Sequence, residues 1–344
     1  MKILLLGDFS EGLDEGYKNI SHYLAREISA STELHRINIK SIPSLRTIQE
    51  LRRLQPNIIH VVSQPTLQSL FLLKLLSSTT KNSRTVVSAL RPEAFFKSGE
   101  ACRILRAALP HLKPDLILVQ TKSSIRDFQK FGYNAVELLN GVDLDRFRPV
   151  QQLEKKALRK KYSLPEDEPI VLHVGHLHTN RNLDALVPLL QSGIHVAVVG
   201  SLYMGTDRKL INVLRDSGLI IFEGYHPSVE EFYQLSDCYI FQPKLGKSLS
   251  MPLSVLEAMA CNLPVVSRRF TGLSENFSES GGLFYFDKDE EIEVTIKKAL
   301  YTQPETRDMV KPYSWGSITQ QLLKYYYYLV EPQKCEMKSH DLSY

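Results

Sequence analysis

Twelve short apolar runs recur along the chain, and segments with a helical pattern separate them. Six lie within residues 1–150: KILLLGDF, HRINI, NIIHVVSQP, TVVSAL, LILVQ and AVELLNG. Six more follow within 151–344: PIVLHVGH, HVAVVG, LIIFEG, CYIFQP, PVVS and GLFYF. Continuous apolar strands that alternate with helices are typical of parallel sheets covered on both faces. The pattern predicts an α/β chain with two doubly wound domains, whose ligands bind outside the carboxyl ends of the strands.

The segments between the runs predict the helices and the domain boundary. The predicted helices cover residues 16–30, 45–54, 66–77, 98–110, 123–131, 182–191, 228–236, 253–261 and 289–302. Residues 150–166 are polar, bounded by prolines, partly helical and without a strand, so we place the boundary there. The expected domains are 1–150 and 151–312. They are followed by an amphipathic helix over 313–330 with Ser314 as its N-cap, and by a tail over 331–344.

Length and composition exclude several classes of protein. A chain of 344 residues suits two domains of about 150–170 residues each. Its most apolar helical run, LQSLFLLKLLSS, is short and contains Lys74, so we expect no membrane span. The four cysteines lack metal or disulfide spacing, which favours buried thiols in a reducing, cytoplasmic compartment. Basic residues are not clustered with aromatic ones, so nucleic acid is not an expected partner.

The two halves differ in charge. Residues 1–150 carry a net charge of +7, whereas 151–344 carry −3. The basic half indicates an anionic partner, either a phosphate-bearing acceptor or peripheral contact with an acidic membrane surface. A solvated basic face is the alternative.

Four stretches in order resemble the group 1 retaining glycosyltransferases. LLNGVDLDRFRPV (138–150) is similar to their domain junction, and VLHVGHLHTNRNLDAL (171–186) to the first strand, turn and helix of their nucleotide domain. SMPLSVLEAMACNLPVV (250–266) resembles their donor-sugar loop and helix, and the SW…Y pattern at 314–325 resembles the late helix that packs back on the first domain. The resemblance covers about residues 1–330 and is strongest in the second half. It implies a GT-B fold, with two Rossmann-like domains, acceptor-side and nucleotide-sugar-binding, and a cleft between them.

The resemblance also implies an activity and the residues that carry it. A sugar would move from a nucleoside diphosphate sugar to a hydroxyl of a glycan or lipid-linked acceptor, with retention of configuration and without a metal or other cofactor. Arg181 matches the basic position that holds the diphosphate, and an arginine can bind phosphate oxygens bidentately. His176 stands where the family often has an arginine. Gly175 would allow the close backbone approach that phosphates need.

The donor loop and helix supply the remaining donor contacts. We expect the helix to begin near Pro252 or Leu253, capped by Ser250 or Ser254, with free N–H groups of the loop, Met251 included, facing phosphate or sugar. Glu257 matches the second glutamate of the family's pair, which binds the ribose hydroxyls. Further along the sheet, Gly224 and Tyr225 would border the base.

The first glutamate of that pair, which contacts the donor sugar, is replaced by Leu249. Three explanations stay open. A shift of the loop would bring Lys247 or Ser248 to the sugar. Alternatively, backbone groups without any side chain would bind the sugar. In the third case, the site is catalytically weak or inactive.

In the first domain, Gly16 matches a glycine of the family's glycine loop and would let that loop approach the donor phosphates or the acceptor. His60, Gln64 and Arg91 follow or end strands and are the acceptor-side candidates. The alternative function is a non-catalytic GT-B scaffold or partner subunit that binds nucleotide or glycan. A nicotinamide-dependent oxidoreductase is disfavoured, because neither domain has a G-x-G-x-x-G loop.

Overall fold

Two parallel six-stranded sheets organise the chain in the computed structural model, which describes residues 1–13, 15–41, 45–90, 112–201, 207–244 and 250–333. The first sheet has the order β2-β1-β3-β4-β5-β6 and the second β12-β11-β10-β7-β8-β9. The strands are β1 Lys2–Gly7, β2 Glu33–Asn38, β3 Ile58–Ser63, β4 Arg84–Ala89, β5 Leu116–Val119, β6 Ala135–Glu137, β7 Ile170–His176, β8 His195–Ser201, β9 Ile220–Glu223, β10 Cys238–Phe241, β11 Val265–Arg268 and β12 Leu283–Phe286. Each predicted apolar run overlaps one of them, so the doubly wound α/β prediction is confirmed.

Helices connect the strands in both domains. They are α1 Gly16–Ser29, α2 Leu45–Leu54, α3 Leu67–Ser78, α4 Lys122–Lys130, α5 Gln152–Lys161, α6 Arg208–Asp216, α7 Glu230–Leu235, α8 Leu253–Ala260, α9 Thr271–Ser274, α10 Ile292–Leu300, α11 Thr306–Val310 and α12 Trp315–Val330. Shorter 3₁₀ segments cover Ile39–Ser41, Thr179–Arg181, Asp289–Glu291 and Lys311–Tyr313. The helix predicted over 98–110 lies outside the described residues.

One predicted helix has a different geometry. The segment predicted as a helix over 182–191 is a 3₁₀ helix, Leu183–Ser192, with Pro188 inside it. Proline has no N–H to donate, and its ring clashes with the carbonyl four residues earlier. The i−4 hydrogen-bond pattern of an α-helix is therefore unfavourable at Pro188, and the segment takes the tighter 3₁₀ turns.

Alternating side chains of the strands pack into a separate core on each face of each sheet. In β1, Ile3 and Leu5 join one buried cluster, while Leu4 and Leu6 join the cluster on the opposite face. Successive side chains of a strand point to opposite faces of the sheet. Because both faces are buried, residues at odd and at even positions are apolar, and the runs are continuous. The second sheet likewise has one cluster on each face.

Helix α12 completes one of the first domain's cores. Trp315, Ile318, Leu322 and Tyr326 are buried in the same cluster as Ile3 and Leu5. Ser314 accepts a hydrogen bond from the Ser317 amide at 3.1 Å, so its predicted N-cap role is confirmed. The Trp315 ring stacks on Tyr23 of α1, with centroids 5.3 Å apart.

The junction segment pairs with the start of α12. The Val142 amide donates to the Tyr313 carbonyl at 2.9 Å, and the Trp315 amide donates to the Val142 carbonyl at 3.3 Å. The chain therefore crosses between the two domains at two places that lie side by side. Gly141 has no room for a side chain there, because an added Cβ would lie 2.5 Å from Cδ2 of Trp315.

Candidate functional site

The carboxyl end of β7 brings Gly175 and Arg181 together. The guanidinium of Arg181 lies over the ring of Phe241, 5.5 Å from its centroid. A Cβ on Gly175 would lie 3.6 Å from Arg181 Nε and 3.0 Å from His173 Nε2. Glycine thus leaves space beside a fixed cation at the sheet edge where ligands of such folds bind. His176 ends the same strand, and its side chain is partly exposed.

The turn that carries Arg181 is held at both ends. His178 Nδ1 accepts a hydrogen bond from the Asn180 amide at 3.1 Å. Asn182, at a φ of 55°, donates through Nδ2 to the Asp289 carboxylate at 3.0 and 3.1 Å. The sequence did not predict that His178 and Asn182 position the turn. Next to glycine, however, asparagine is among the residues that most often adopt this left-handed conformation.

His173 is buried beneath this turn. Its Nδ1 lies 3.1 Å from the Ile240 carbonyl and must donate to it. Burial, reinforced by the nearby Arg181 charge, lowers the pKa of His173 to about 3. The ring is therefore neutral at physiological pH and adds no charge next to the arginine.

Helix α8 presents two polar groups one turn apart. The Tyr239 hydroxyl donates to Ser254 Oγ at 2.8 Å, and the Tyr233 hydroxyl donates to Glu257 Oε2 at 2.7 Å. Both tyrosines are fully buried, with ring centroids 5.8 Å apart. The protein itself therefore supplies one hydrogen-bond donor to the Glu257 carboxylate, a partner that the sequence did not reveal.

Burial raises the pKa of Glu257 from 4.5 to about 7. The Tyr233 hydrogen bond and the charge of Arg146 act in the opposite direction, while Glu230 adds to the rise. Arg146, from the junction motif, donates to Glu230 Oε2 at 2.8 Å and to the Pro227 carbonyl at 2.5 Å. The carboxyl group thus changes charge near neutral pH.

Replacing Glu257 by glutamine is expected to change how stability depends on pH. Below pH 4.5 the wild-type carboxyl is protonated in both the folded and unfolded states and has no effect. Between pH 4.5 and 7 the carboxyl ionises in the unfolded state but stays largely protonated in the folded one, so the wild type progressively loses up to about 3 kcal/mol of unfolding free energy that Glu257→Gln retains. Urea unfolding of both proteins from pH 5 to 8 measures this difference. A difference in unfolding free energy that stays constant from pH 5 to 8 would contradict the prediction.

The loop before α8 contacts the first domain directly, which corrects two expectations. The Met251 amide, expected to face a ligand, donates to Gln120 Oε1 at 2.9 Å. The expected serine caps are also wrong, because Pro252 is the N-cap and no side chain caps the helix. The Ser250 hydroxyl donates instead to the Leu90 carbonyl, and the Ser254 hydroxyl accepts from Tyr239. Leu253 begins the helix and packs on the first domain's core.

Gly224 and Tyr225 lie further along the same sheet edge. They follow β9, which is two strands away from β7. Gly224 has a φ of +100°, a conformation that favours glycine, and its amide donates to the Gly200 carbonyl at 2.8 Å. Tyr225 is 47% exposed, so its ring is available to a ligand at this edge.

The first-domain candidates differ in accessibility. Gly16 begins α1, and an added Cβ would meet nothing within 4 Å, so packing does not require glycine there. Gln64 is half-buried just after β3. His60 is 0% exposed, and its ring nitrogens lie 2.5 Å from the Tyr326 hydroxyl and 2.8 Å from Ser88 Oγ. His60 therefore holds α12 against the first sheet and is not placed to contact an acceptor. Arg91, Lys247, Ser248 and Leu249 lie outside the described residues.

The described part of the chain shows neither a candidate membrane span nor a metal-binding cluster. None of the helices described there is both long and apolar enough to cross a bilayer. Within the same residues, no three His, Cys, Asp or Glu side chains are grouped so that they could hold a metal ion.

Solved structures share the whole fold. The Anabaena protein HepE in complex with UDP and glucose superposes with a TM-score of 0.73 at 16% identity, covering 94% of this chain and 99% of that one. Sucrose-phosphate synthase from Thermosynechococcus elongatus gives a TM-score of 0.75 at 16% identity, covering 97% of this chain and 100% of that one. The fold is therefore GT-B, with two Rossmann-like domains and a cleft between them.

Curated relatives match by sequence. A sulfoquinovosyl transferase of Arabidopsis thaliana is 26% identical over 301 residues, which is 80% of this chain and 57% of that protein. A GDP-mannose-dependent alpha-mannosyltransferase of Mycobacterium tuberculosis is 26% identical over 235 residues, 66% of this chain and 59% of that protein. The matched region thus spans somewhat over half the length of these relatives. The family described as glycosyl transferases group 1 matches residues 154–314, which hold the Arg181 turn and helix α8.

Proposed function

We propose that the protein is a retaining glycosyltransferase that moves a hexose from a nucleoside diphosphate sugar to an acceptor hydroxyl without a metal ion. The observation that carries the proposal is the pairing of Gly175 with Arg181 at the carboxyl end of β7. Tyr239 connects that strand end to α8, because its hydroxyl lies 3.5 Å from the Val174 carbonyl and 2.8 Å from Ser254 Oγ. Similar proteins agree with such a donor: one is a GDP-mannose-dependent alpha-mannosyltransferase, and HepE of Anabaena forms a complex with UDP-glucose.

Arg181 has the chemistry that a departing diphosphate needs. Negative charge accumulates on the phosphate oxygens as the bond to the sugar breaks, and a fixed guanidinium stabilises that charge through two parallel hydrogen bonds. The ring of Phe241 beneath it limits its motion, so little reorganisation is needed during the reaction. Gly175 leaves the phosphate room to approach the backbone, and His176 is the second cationic candidate when it is protonated.

Helix α8 would hold the rest of the donor. The Glu257 carboxylate accepts from Tyr233 through one oxygen, and a vicinal ribose diol would offer further donors to the same group. The amides of Leu253 and Ser254 open the helix, where no preceding helical carbonyl is available to them. Gly224 and the exposed Tyr225 would border the base.

The transfer itself requires no protein nucleophile. The acceptor oxygen forms its bond to the anomeric carbon on the face from which the diphosphate departs, and the carbon–phosphate oxygen bond breaks. The acceptor proton passes to the departing phosphate oxygen. Retention follows from attack on that face, and the rate comes mainly from preorganised charge and excluded water.

The charge of the first domain indicates the kind of acceptor. The first domain is basic, which suits a phosphate-bearing glycan or a lipid-linked acceptor, with peripheral contact to an anionic, cytoplasm-facing membrane surface. Gln64 and Arg91 remain the acceptor-side candidates. The second candidate function is a non-catalytic scaffold that binds nucleotide or glycan. Two residues favour it: Leu249 stands where the family has a glutamate, and His176 where it often has an arginine.

A thermal-shift panel of nucleoside diphosphates and their sugars tests the proposal. A ligand that binds the native state raises the melting midpoint by mass action. We expect one nucleotide to stabilise the wild type and Glu290→Ala, an exposed control, but not Glu257→Ala. Absence of any shift in the wild type would contradict the donor site. A shift without detectable turnover would favour the scaffold.

A further inference from the structure

Two buried amide side chains of the first domain bind the loop before α8. Gln120 follows β5 and Asn140 follows β6, and they are 4% and 5% exposed. Gln120 Nε2 donates to Asn140 Oδ1 at 2.6 Å, which leaves Gln120 Oε1 to accept from the Met251 amide at 2.9 Å. Asn140 Nδ2 donates to the Met251 carbonyl at 2.8 Å. We call these two side chains the amide clamp.

The chemistry of the amide clamp fixes its geometry. Each side-chain amide has one acceptor and one donor end, and the three bonds use both ends of both side chains. Turning either amide over would place two donors or two acceptors against each other at about 2.8 Å. Because the network is buried, such a mismatch is not relieved by water. The clamp therefore accepts the backbone of Met251 in one position only.

Further contacts join the same two surfaces. The Gln120 carbonyl accepts from Asn276 Nδ2 at 3.1 Å, and Ser250 donates to the Leu90 carbonyl. Met251 is 2% exposed and lies two residues before the start of α8. The start of α8 is therefore fixed by residues of the other domain as well as by its own.

We infer that Gln120 and Asn140 are positioning residues that set the donor-facing side of α8. The inference rests on the proposed function, because it assigns that side of the helix to the nucleotide. Ser254 and Glu257 lie three and six residues after Met251, in the continuous helix that begins at Leu253. A displaced Met251 therefore displaces both polar groups from the position a nucleotide needs, and nucleotide affinity depends on a contact made by the first domain.

Gln120→Glu tests this inference with a readout that is specific to the clamp. An ionised glutamate has no donor for Asn140 Oδ1, and two oxygens then face each other. A protonated glutamate restores the donor, and burial raises the pKa of such a group into a range that can be titrated. We expect the affinity for UDP or GDP, relative to wild type at the same pH, to be near normal at pH 5.5 and about tenfold to a hundredfold weaker at pH 8.

Three companion measurements make the test decisive. Gln120→Met keeps the length of the side chain without its amide and should lose affinity equally at every pH. Gln129→Glu, exposed on α4, should match the wild type throughout. Hydrogen exchange of the Met251 amide should accelerate in Gln120→Glu at pH 8, independently of any ligand.

The outcomes separate the two proposals. If the wild type binds a nucleotide and Gln120→Glu binds it equally well at pH 8, the positioning inference is overturned and the donor site stands. If the wild type binds no nucleotide, the proposed function fails, and the inference fails with it. Parallel loss of Met251 protection and of nucleotide affinity, both reversed at pH 5.5, supports the inference.

Discussion

Replacing Arg181 by alanine is expected to lower transferase turnover by about a hundredfold to a thousandfold, the usual effect of removing one preorganised charge-stabilising group. The guanidinium lies over Phe241 and beside Gly175, where a diphosphate would depart. The loss should fall mainly on kcat, because charge on the leaving group grows as the transition state forms. Arg181→Lys should retain part of the rate, since it keeps the charge but not the fork of two donors.

Arg269 is the matched control. It also stacks on an aromatic ring, with its guanidinium 4.7 Å from the Tyr285 centroid, but it is exposed and pairs with Glu279. Arg269→Ala should leave turnover unchanged in the same assay, with the best donor from the thermal-shift panel. Full turnover by Arg181→Ala would overturn the leaving-group assignment. An equal loss in both variants would assign the effect to the fold.

Replacing Gly141 by alanine is expected to cost about 3 kcal/mol or more of unfolding free energy, at the upper end of overpacking effects. The added Cβ would lie 2.5 Å from Trp315 Cδ2 and 2.8 Å from the Trp315 Cα. A side chain can rotate away from such a contact, but a backbone atom cannot. Relief would require the start of α12 to move, which would break the Trp315–Tyr23 stack.

Gly316, the residue after Trp315, provides the control for Gly141→Ala. A Cβ there would meet no atom closer than 3.8 Å, and alanine favours a helix over glycine. Gly316→Ala should therefore be neutral or stabilising by up to about 1 kcal/mol. Urea unfolding followed by fluorescence suits both variants, because Trp315 is the only tryptophan in the sequence. Equal stability of the two variants would contradict the steric argument.

The strands were predictable because parallel strands are buried on both faces, and this leaves an apolar run in the sequence. The same signal does not distinguish an α-helix from a 3₁₀ helix, so the consequence of Pro188 became visible only in the structure. His60 shows a second limit. It was assigned to a strand end and so to the cleft, whereas it lies within β3 and its hydrogen bond to Tyr326, 266 residues away, places it in the interior.

The candidate site was predictable as far as its residues fall within local motifs. Gly175, Arg181 and Glu257 come from two short stretches, and the structure places both stretches at one edge of the second sheet. Their supporting partners come from elsewhere in the chain. Tyr233 lies 24 residues before Glu257, and Gln120 lies 131 residues before Met251. No local spacing encodes such pairs, because the fold alone brings them together.

The docking of α12 on the first sheet has a consequence for folding during synthesis. The ribosome completes β1 to β6 long before it reaches Trp315, yet one core of the first domain needs Trp315, Leu322 and Tyr326 to exclude water. At about 5–20 residues per second, the nascent first domain waits for tens of seconds with an apolar face uncovered. The whole second domain is translated in that interval and can fold on its own cores. The domain made first is therefore the one that completes its core last, when α12 covers that face of its sheet.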